Sequence, residues 1–133
     1  MNGRTELEIL RDGLLEWRIH SEILAKLKET APDSDEVKEL DKFVQFVFQN
    51  VMLRYQRALM VIGRIPDSNK RRVLISYYLS QNDTLSPRTW KEVSEELGRD
   101  AYYLKKIGMS AVRAYGRFSA IIDREAEEAS KSR

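Results

Sequence analysis

The sequence has no cysteine and only one histidine among its 133 residues. The absence of cysteine excludes disulfides and thiolate metal sites, and a single histidine excludes Cys-His catalytic pairs and His-based zinc sites. That histidine, His20, lies in a predicted helix between Ile19 and Glu22, where a surface role is more plausible than that of a catalytic base. The six glycines are scattered and form no phosphate-binding loop. We therefore expect no enzyme activity, no metal site and no cofactor.

Long apolar runs are also absent. No segment approaches the length of a membrane-spanning helix, and the first residues lack the apolar stretch of a signal peptide. Charged residues make up 33% of the chain and hydrophobic ones 42%, a balance that suits a folded globular protein. The sequence therefore predicts a cytoplasmic protein with no membrane partner.

The charge is unevenly distributed along the chain. Residues 1–63 carry 9 Lys and Arg against 11 Asp and Glu, whereas residues 64–124 carry 12 against 7. The second segment thus has a net charge of +5, although the whole chain has only +2. A basic segment in a chain of balanced charge indicates a polyanionic partner for that segment.

The first half predicts two long helices with a short polar break between them. Thr5 to Glu29 has helical periodicity, and the break at Thr30–Ser34 leads into a second helix that should end near Ile65, before Pro66. Asp33 with Glu36 fits a capping box for that second helix. Such a pair of helices should form an antiparallel hairpin over residues 1–65. The apolar stripe of the first helix consists of Leu7, Leu10, Leu14, Trp17 and Leu24.

The second helix is apolar on two faces, which one partner helix cannot cover. One face should pack on the first helix, and its apolar residues are Val37, Leu40, Val44, Val47, Val51, Tyr55 and Ile62. Phe46, Leu53 and Met60 recur every seven residues on nearly the opposite side, with Phe43 and Val61 beside them. Either the C-terminal domain covers this second stripe or a second subunit does, so a homodimer through Phe46, Leu53 and Met60 stays open.

The second half predicts three further helices in a domain spanning residues 66–125. Asp67 or Ser68 should cap a helix from Asn69 to about Ser80, and a polar loop follows over residues 81–87. A fourth helix should start at Ser86-Pro87 or Thr89 and end at Leu97-Gly98. Asp100 should cap a fifth helix that reaches about Glu125, with residues 126–133 a disordered tail.

The segment Thr89–Ile107 has the pattern of a helix-turn-helix. Val93 and Leu97 face inward, Gly98 suits a tight turn, and Leu104, Ile107 and Ala111 return the apolar face of the next helix to the core. Trp90 shares the apolar register of Val93 and is expected to be structural. The second helix of such a motif can lie in a DNA major groove, and its exposed side here carries Tyr102, Lys105, Lys106 and Met109. Paired lysines on one helix face are also common on solvated surfaces, so the pattern alone does not decide for DNA.

Several short motifs in this half resemble region 4 of sigma-70-type factors. They are Arg72-Val73-Leu74, Tyr77-Tyr78-Leu79, Thr89-Trp90-Lys91-Glu92-Val93, Glu96-Leu97-Gly98, Leu104-Lys105-Lys106-Ile107 and Ala111-Val112. More narrowly, the chain is similar to phage late-gene transcriptional regulators of the ArpU/RinA type. The resemblance covers about residues 64–118 and implies a sigma-region-4-like helix-turn-helix domain after an N-terminal helical segment. With the predicted hairpin of residues 1–65, the expected fold is all-α, an antiparallel helical hairpin followed by this domain. It also implies recognition of double-stranded DNA by the helix that starts at Asp100, and contact with RNA polymerase.

The candidate DNA-binding residues cluster at the start of the fifth helix. They are Arg99, Asp100, Ala101, Tyr102, Tyr103, Lys105, Lys106, Met109 and Arg113. Gly108 departs from the family pattern, and because glycine inside a helix costs on the order of 1 kcal/mol, close packing or a bend is expected there. A small-terminase-like DNA-packaging protein and a protein-only adaptor remain alternatives to the transcriptional regulator.

Overall fold

The computed structural model describes residues 2–132, and within that range every regular element is a helix. The expected all-α class is therefore confirmed. The elements are α1 (Gly3–Thr30), α2 (Asp35–Gly63), α3 (Ser68–Leu74) with a π-helical continuation (Ile75–Leu79), α4 (Trp90–Leu97) and α5 (Ala101–Lys131).

No helix in residues 2–132 combines the length and the apolar character that crossing a bilayer requires.

Side-chain caps fix where the first three helices begin. Asn2 accepts a hydrogen bond from the backbone N–H of Thr5, and Asp67 caps α3 in the same way. The capping box predicted for Asp33 and Glu36 is wrong, because Ser34 is the N-cap of α2. Ser34 has the extended backbone that a cap requires, and its hydroxyl accepts from the N–H of Val37 at 3.2 Å.

Two helix boundaries differ from the sequence predictions. The helix expected from Asn69 to Ser80 widens into a π-helix at Ile75, and the N–H of Ser80 donates to the carbonyl of Ile75 at 2.9 Å. No residue type marks a π-helix in the sequence. At the other end of the chain, α5 continues to Lys131 instead of ending near Glu125, and the side chains of its last turns are exposed.

α1 and α2 pack along each other, and their contacts pair the start of one helix with the end of the other. Near the connecting turn, Leu24 packs against Val37 and Val44. At the far end, the Nε of Arg57 lies 3.0 Å from a carboxylate oxygen of Glu6. The loop of four residues between the helices favours this antiparallel arrangement.

The largest core cluster joins both halves of the chain. It contains Leu7 and Leu10 of α1, Ile62 of α2, Leu74 of α3 and Tyr115 of α5, all at most 2% exposed. A side chain at position 3 would bring its Cβ within 2.7 Å of the backbone nitrogen of Gly116, so glycine is what lets α1 and α5 approach so closely. The start of α1 is thereby fixed against the middle of α5.

The second apolar stripe of α2 is not covered by the C-terminal half. Phe46, Leu53 and Met60 are 65%, 69% and 55% exposed, and Phe43 beside them is also exposed. The first of the two alternatives for this stripe, intramolecular burial, is therefore wrong for these residues. Val61 is the exception, because it turns into the main core and is fully buried.

Candidate nucleic-acid interface

The turn between α4 and α5 is fixed by a hydrogen bond at each step. Thr89 and Glu92 form a capping box at the start of α4, with the hydroxyl of Thr89 accepting from the N–H of Glu92 and the carboxylate of Glu92 accepting from the N–H of Thr89. Gly98 ends α4 with φ +67° and ψ +31°, a left-handed conformation that favours glycine. Asp100 then caps α5 by accepting from the N–H of Tyr103 at 3.1 Å. The direction in which α5 leaves the turn is thus set locally.

The capping box also changes the acidity of its carboxylate. The backbone N–H of Thr89 and then the side-chain amide of Asn82 lower the pKa of Glu92 from its ordinary value. Glu92 is therefore ionised at neutral pH, next to the positive end of the α4 dipole, where a negative charge is stabilising. The side-chain amide of Asn82, which donates to Glu92, also connects the loop before α4 to the first turn of α4.

A small core holds α3, α4 and α5 together beneath the turn. Val73, Val93 and Leu104 are buried there, as the sequence pattern predicts. Leu97 and Ile107 are only partly buried at its edge. This core, together with the capped turn, fixes α5 relative to α4.

Trp90 is half-buried and stacks on a tyrosine. Its ring lies parallel to that of Tyr77, with centroids 4.2 Å apart and an interplanar angle of 9°. The far edge of the indole lies against Gly108, where an added Cβ would be 2.6 Å from Cη2 of Trp90. The expected close packing at Gly108 is thus confirmed, and its cause is the indole ring.

A second polar contact holds the loop that precedes α4. The guanidinium of Arg88 is paired with the carboxylate of Glu96, and both groups bond to the buried hydroxyl of Ser76. The contact connects the loop, α4 and the π-helical segment.

The candidate residues of α5 form one exposed stripe with two flanks. At 100° per residue, Tyr102, Lys106, Met109 and Arg113 lie within about 60° of one another around the helix. Tyr102 is 68% and Met109 58% exposed, and Lys106 lies over the ring of Tyr102 at 4.6 Å from its centroid. These four residues form what we call the α5 stripe.

The other candidate residues lie beside the α5 stripe or before it. Lys105 is on one flank and faces a cleft towards α1, whereas Tyr103 and Arg99 are on the other flank and face a smaller cleft towards α3. Asp100 is exposed, but its carboxylate is occupied as the N-cap. Ala101 is half-buried, so it presents the least surface of the candidates.

The cations of this region are free of carboxylate partners. Within residues 2–132, no acidic oxygen lies within ion-pair distance of Arg99, Lys105, Lys106 or Arg113. Some arginines elsewhere are paired, as Arg57 is with two carboxylates, whereas Arg54, Arg72 and Arg117 are in no ion pair within residues 2–132 either. The start of α5 therefore presents uncompensated positive charge to solvent.

Two residues near this surface escaped the sequence analysis. Arg72 of α3 lines the smaller cleft with Arg99, and Arg4 of α1 lines the larger one with Arg113. The basic composition of the second half gives a signal for Arg72. Nothing in the sequence places Arg4 there, because its position depends on the Gly3–Gly116 contact.

Within the described part of the chain, no group of three or more His, Asp or Glu side chains is arranged to hold a metal ion. Comparisons of this chain with protein-family models, curated proteins and solved structures gave no match.

Proposed function

We propose that this chain binds double-stranded DNA in a sequence-specific way through a helix-turn-helix formed by α4 and the first half of α5. The observation that carries the proposal is the α5 stripe, an exposed row of aromatic, apolar and unpaired cationic side chains directly after a rigid glycine turn. Cations on such a helix neutralise phosphates, and the side chains between them reach base edges.

Within this proposal each candidate residue has a role. Lys105, Lys106 and Arg113 contact phosphates, and Tyr102 and Met109 lie over the base edges, where an apolar surface suits the thymine methyl group. Arg99 contacts the backbone near the helix start, together with Arg72. Asp100 fixes the helix and does not touch DNA, since its carboxylate is used in capping.

The biological role we propose is that of a phage or prophage transcriptional regulator, an activator of late genes that contacts RNA polymerase. The support is the resemblance of residues 64–118 to sigma region 4 and to ArpU/RinA-type regulators. No catalytic role is proposed, because the α5 stripe offers binding groups and no paired acid and base.

A second copy of the chain is the partner that we propose for the exposed stripe of Phe46, Leu53 and Met60. Three large apolar side chains, each more than half exposed, recur along this helix face, and large exposed apolar patches are unusual on a monomer. A two-fold dimer also fits the proposed activity, since paired recognition helices read half-sites about 34–36 Å apart.

The same stripe favours one alternative function, a small-terminase-like DNA-packaging protein. Such a protein also joins a helix-turn-helix to an oligomerising helical segment, but it assembles a ring of many subunits. The number of subunits in solution therefore separates the two functions, because a regulator should be a monomer or a dimer.

Genome-wide DNA capture with the full chain tests the proposal. We expect one sharp site near a promoter, and fluorescence anisotropy on that duplex should give an affinity that falls steeply with salt. A site at a packaging locus would support the packaging alternative. Failure to bind any duplex at 50 mM salt would leave a protein-only adaptor and would contradict DNA binding.

A further inference from the structure

A cleft lies between the start of α1 and the middle of α5. Its volume is about 680 Å³, within the range of about 300–1,000 Å³ that small-molecule sites occupy. Arg4 and Glu8 of α1 form one side, and Lys105 and Arg113 of α5 form the other. The two sides come from opposite ends of the chain and are brought together by the Gly3–Gly116 contact.

The floor of this cleft is aromatic. Tyr77, Tyr78 and Trp90 line it, with Tyr77 stacked on Trp90 and perpendicular to Tyr78 at a centroid distance of 4.8 Å. Both tyrosines lie in the π-helical segment, and such segments are often found at functional sites. A further planar ring can pair with an outer face or an edge of these rings, in the offset or edge-to-face arrangement that aromatic pairs prefer.

The rim of the cleft is cationic and only partly neutralised. Arg4 is paired with Glu8 at 3.0 Å, so these two charges cancel. Lys105 and Arg113 have no acidic partner within ion-pair distance among residues 2–132. An anionic group that bridged Lys105 and Arg113 would complete their charge balance, and Arg113 can bind it through two parallel hydrogen bonds.

The geometry points to a binding site for a small planar aromatic anion in this cleft, with its ring on the aromatic floor and its anionic group between Lys105 and Arg113. An aromatic carboxylate and a free nucleotide share this chemistry. Lys105 and Arg113 also belong to the proposed DNA-binding surface. The ligand and DNA therefore compete for the same two cations, an inference that rests on the proposed function. Binding of the ligand therefore weakens the binding of DNA.

Isothermal titration calorimetry on the full chain tests the site without DNA. The probes are 2-naphthoate, its neutral analogue 2-naphthamide, and adenosine 5′-monophosphate, which represents a nucleotide ligand. We expect at least one of the two anions to bind about tenfold more tightly than the amide, the effect of one charge-assisted hydrogen bond. Arg113→Gln should remove this difference, whereas Lys26→Gln, at an exposed position of α1, should preserve it. Binding of no anion at millimolar concentration, or equal binding of anions and amide, would overturn the site.

Competition is tested separately with the captured duplex. At ten times its Kd, the anion should weaken DNA binding about tenfold, and DNA at ten times its own Kd should weaken anion binding to the same degree. Anion binding that leaves the DNA affinity unchanged would overturn the competition and leave the site intact. If no duplex binds at all, the proposed function fails, and the calorimetric titration still decides whether the cleft binds its ligand.

Discussion

Gly108 and Trp90 show how a single missing Cβ shapes the candidate site. Alanine at position 108 would favour the helix by about 1 kcal/mol through propensity alone. Its Cβ would, however, lie 2.6 Å from Cη2 of Trp90, and overpacking of this kind costs about 1–3 kcal/mol. Since the indole is stacked on Tyr77 and cannot simply move away, the steric cost should win.

We expect Gly108→Ala to lower the free energy of unfolding by up to about 2 kcal/mol, the difference between these two effects. Urea denaturation measures it. In a Trp90→Leu background the clash is gone, so the same change should become neutral or stabilising. If Gly108→Ala without the Trp90 substitution is more stable than wild type, the indole ring of Trp90 has moved aside, and this account is contradicted.

Tyr115 shows the effect of burial on an ionisable group. Its ring is almost fully buried, and its hydroxyl donates to Glu6 at 3.1 Å. Burial, followed by the nearby negative charge of Glu6, raises the pKa of Tyr115 well above its ordinary value. The folded protein thus retains this proton at a pH where the unfolded chain has lost it.

The sign of the effect on stability follows from proton linkage. Above pH 10 the unfolded state binds fewer protons than the folded state, so the free energy of unfolding should fall by up to about 1.4 kcal/mol per pH unit. Tyr115→Phe should be less stable than wild type at pH 7, because the hydrogen bond to Glu6 is lost. Above pH 10, however, its free energy of unfolding should fall less steeply than that of wild type. Tyr102→Phe, at an exposed ring, is the control. Equal alkaline slopes for Tyr115→Phe and wild type would contradict this account.

At the scale of the helix, α5 combines two functions along its length. Its inward face closes the core through Leu104, Ala111 and Tyr115, while its outward face presents the α5 stripe. Substitutions on the outward face should therefore affect binding and leave folding unchanged.

We expect Lys105→Ala with Lys106→Ala to weaken DNA binding without changing the melting temperature. Each phosphate contact removed should lower the slope of log K against log salt by about 0.9. The matched control is Lys26→Ala with Lys42→Ala, two exposed lysines of α1 and α2. Unchanged affinity and salt slope in the first variant, measured by fluorescence anisotropy, would remove α5 from the DNA interface.

At the scale of the whole molecule, the exposed stripe of α2 is the feature that a monomer leaves unexplained. Leu53 is at its centre and is 69% exposed, so Leu53→Glu should cost little folding energy in the monomer. In a dimer the same change would bury a charge and cost several kcal/mol per subunit. The variant should therefore be a folded monomer with weaker DNA binding.

Light scattering with a thermal melt distinguishes the outcomes. Ala25→Glu adds the same charge at an exposed position of α1 and should leave the dimer intact. A wild-type protein that is monomeric at high micromolar concentration would refute the dimer, and a ring of many subunits would favour the packaging alternative.

The sequence by itself determined the local structure of this protein. The period of the apolar residues predicted the helices, and Asp67, Thr89, Gly98 and Asp100 marked where they start and stop. These features are readable because capping and periodicity involve residues only a few positions apart. The same reasoning identified the exposed residues of the α5 stripe.

Only the tertiary structure decided what depends on contacts between distant residues. It placed Arg4 across a cleft from Arg113, left Phe46 exposed while Val61 is buried, and made Tyr77 part of the lining of that cleft. The two apolar stripes of α2 look alike in sequence, since both have helical spacing. The sequence assigned the first stripe to α1, and Val37, Val44 and Ile62 are buried as expected. Whether the C-terminal half also covers the second stripe is settled by the packing of the whole chain, and helical period carries no information on that.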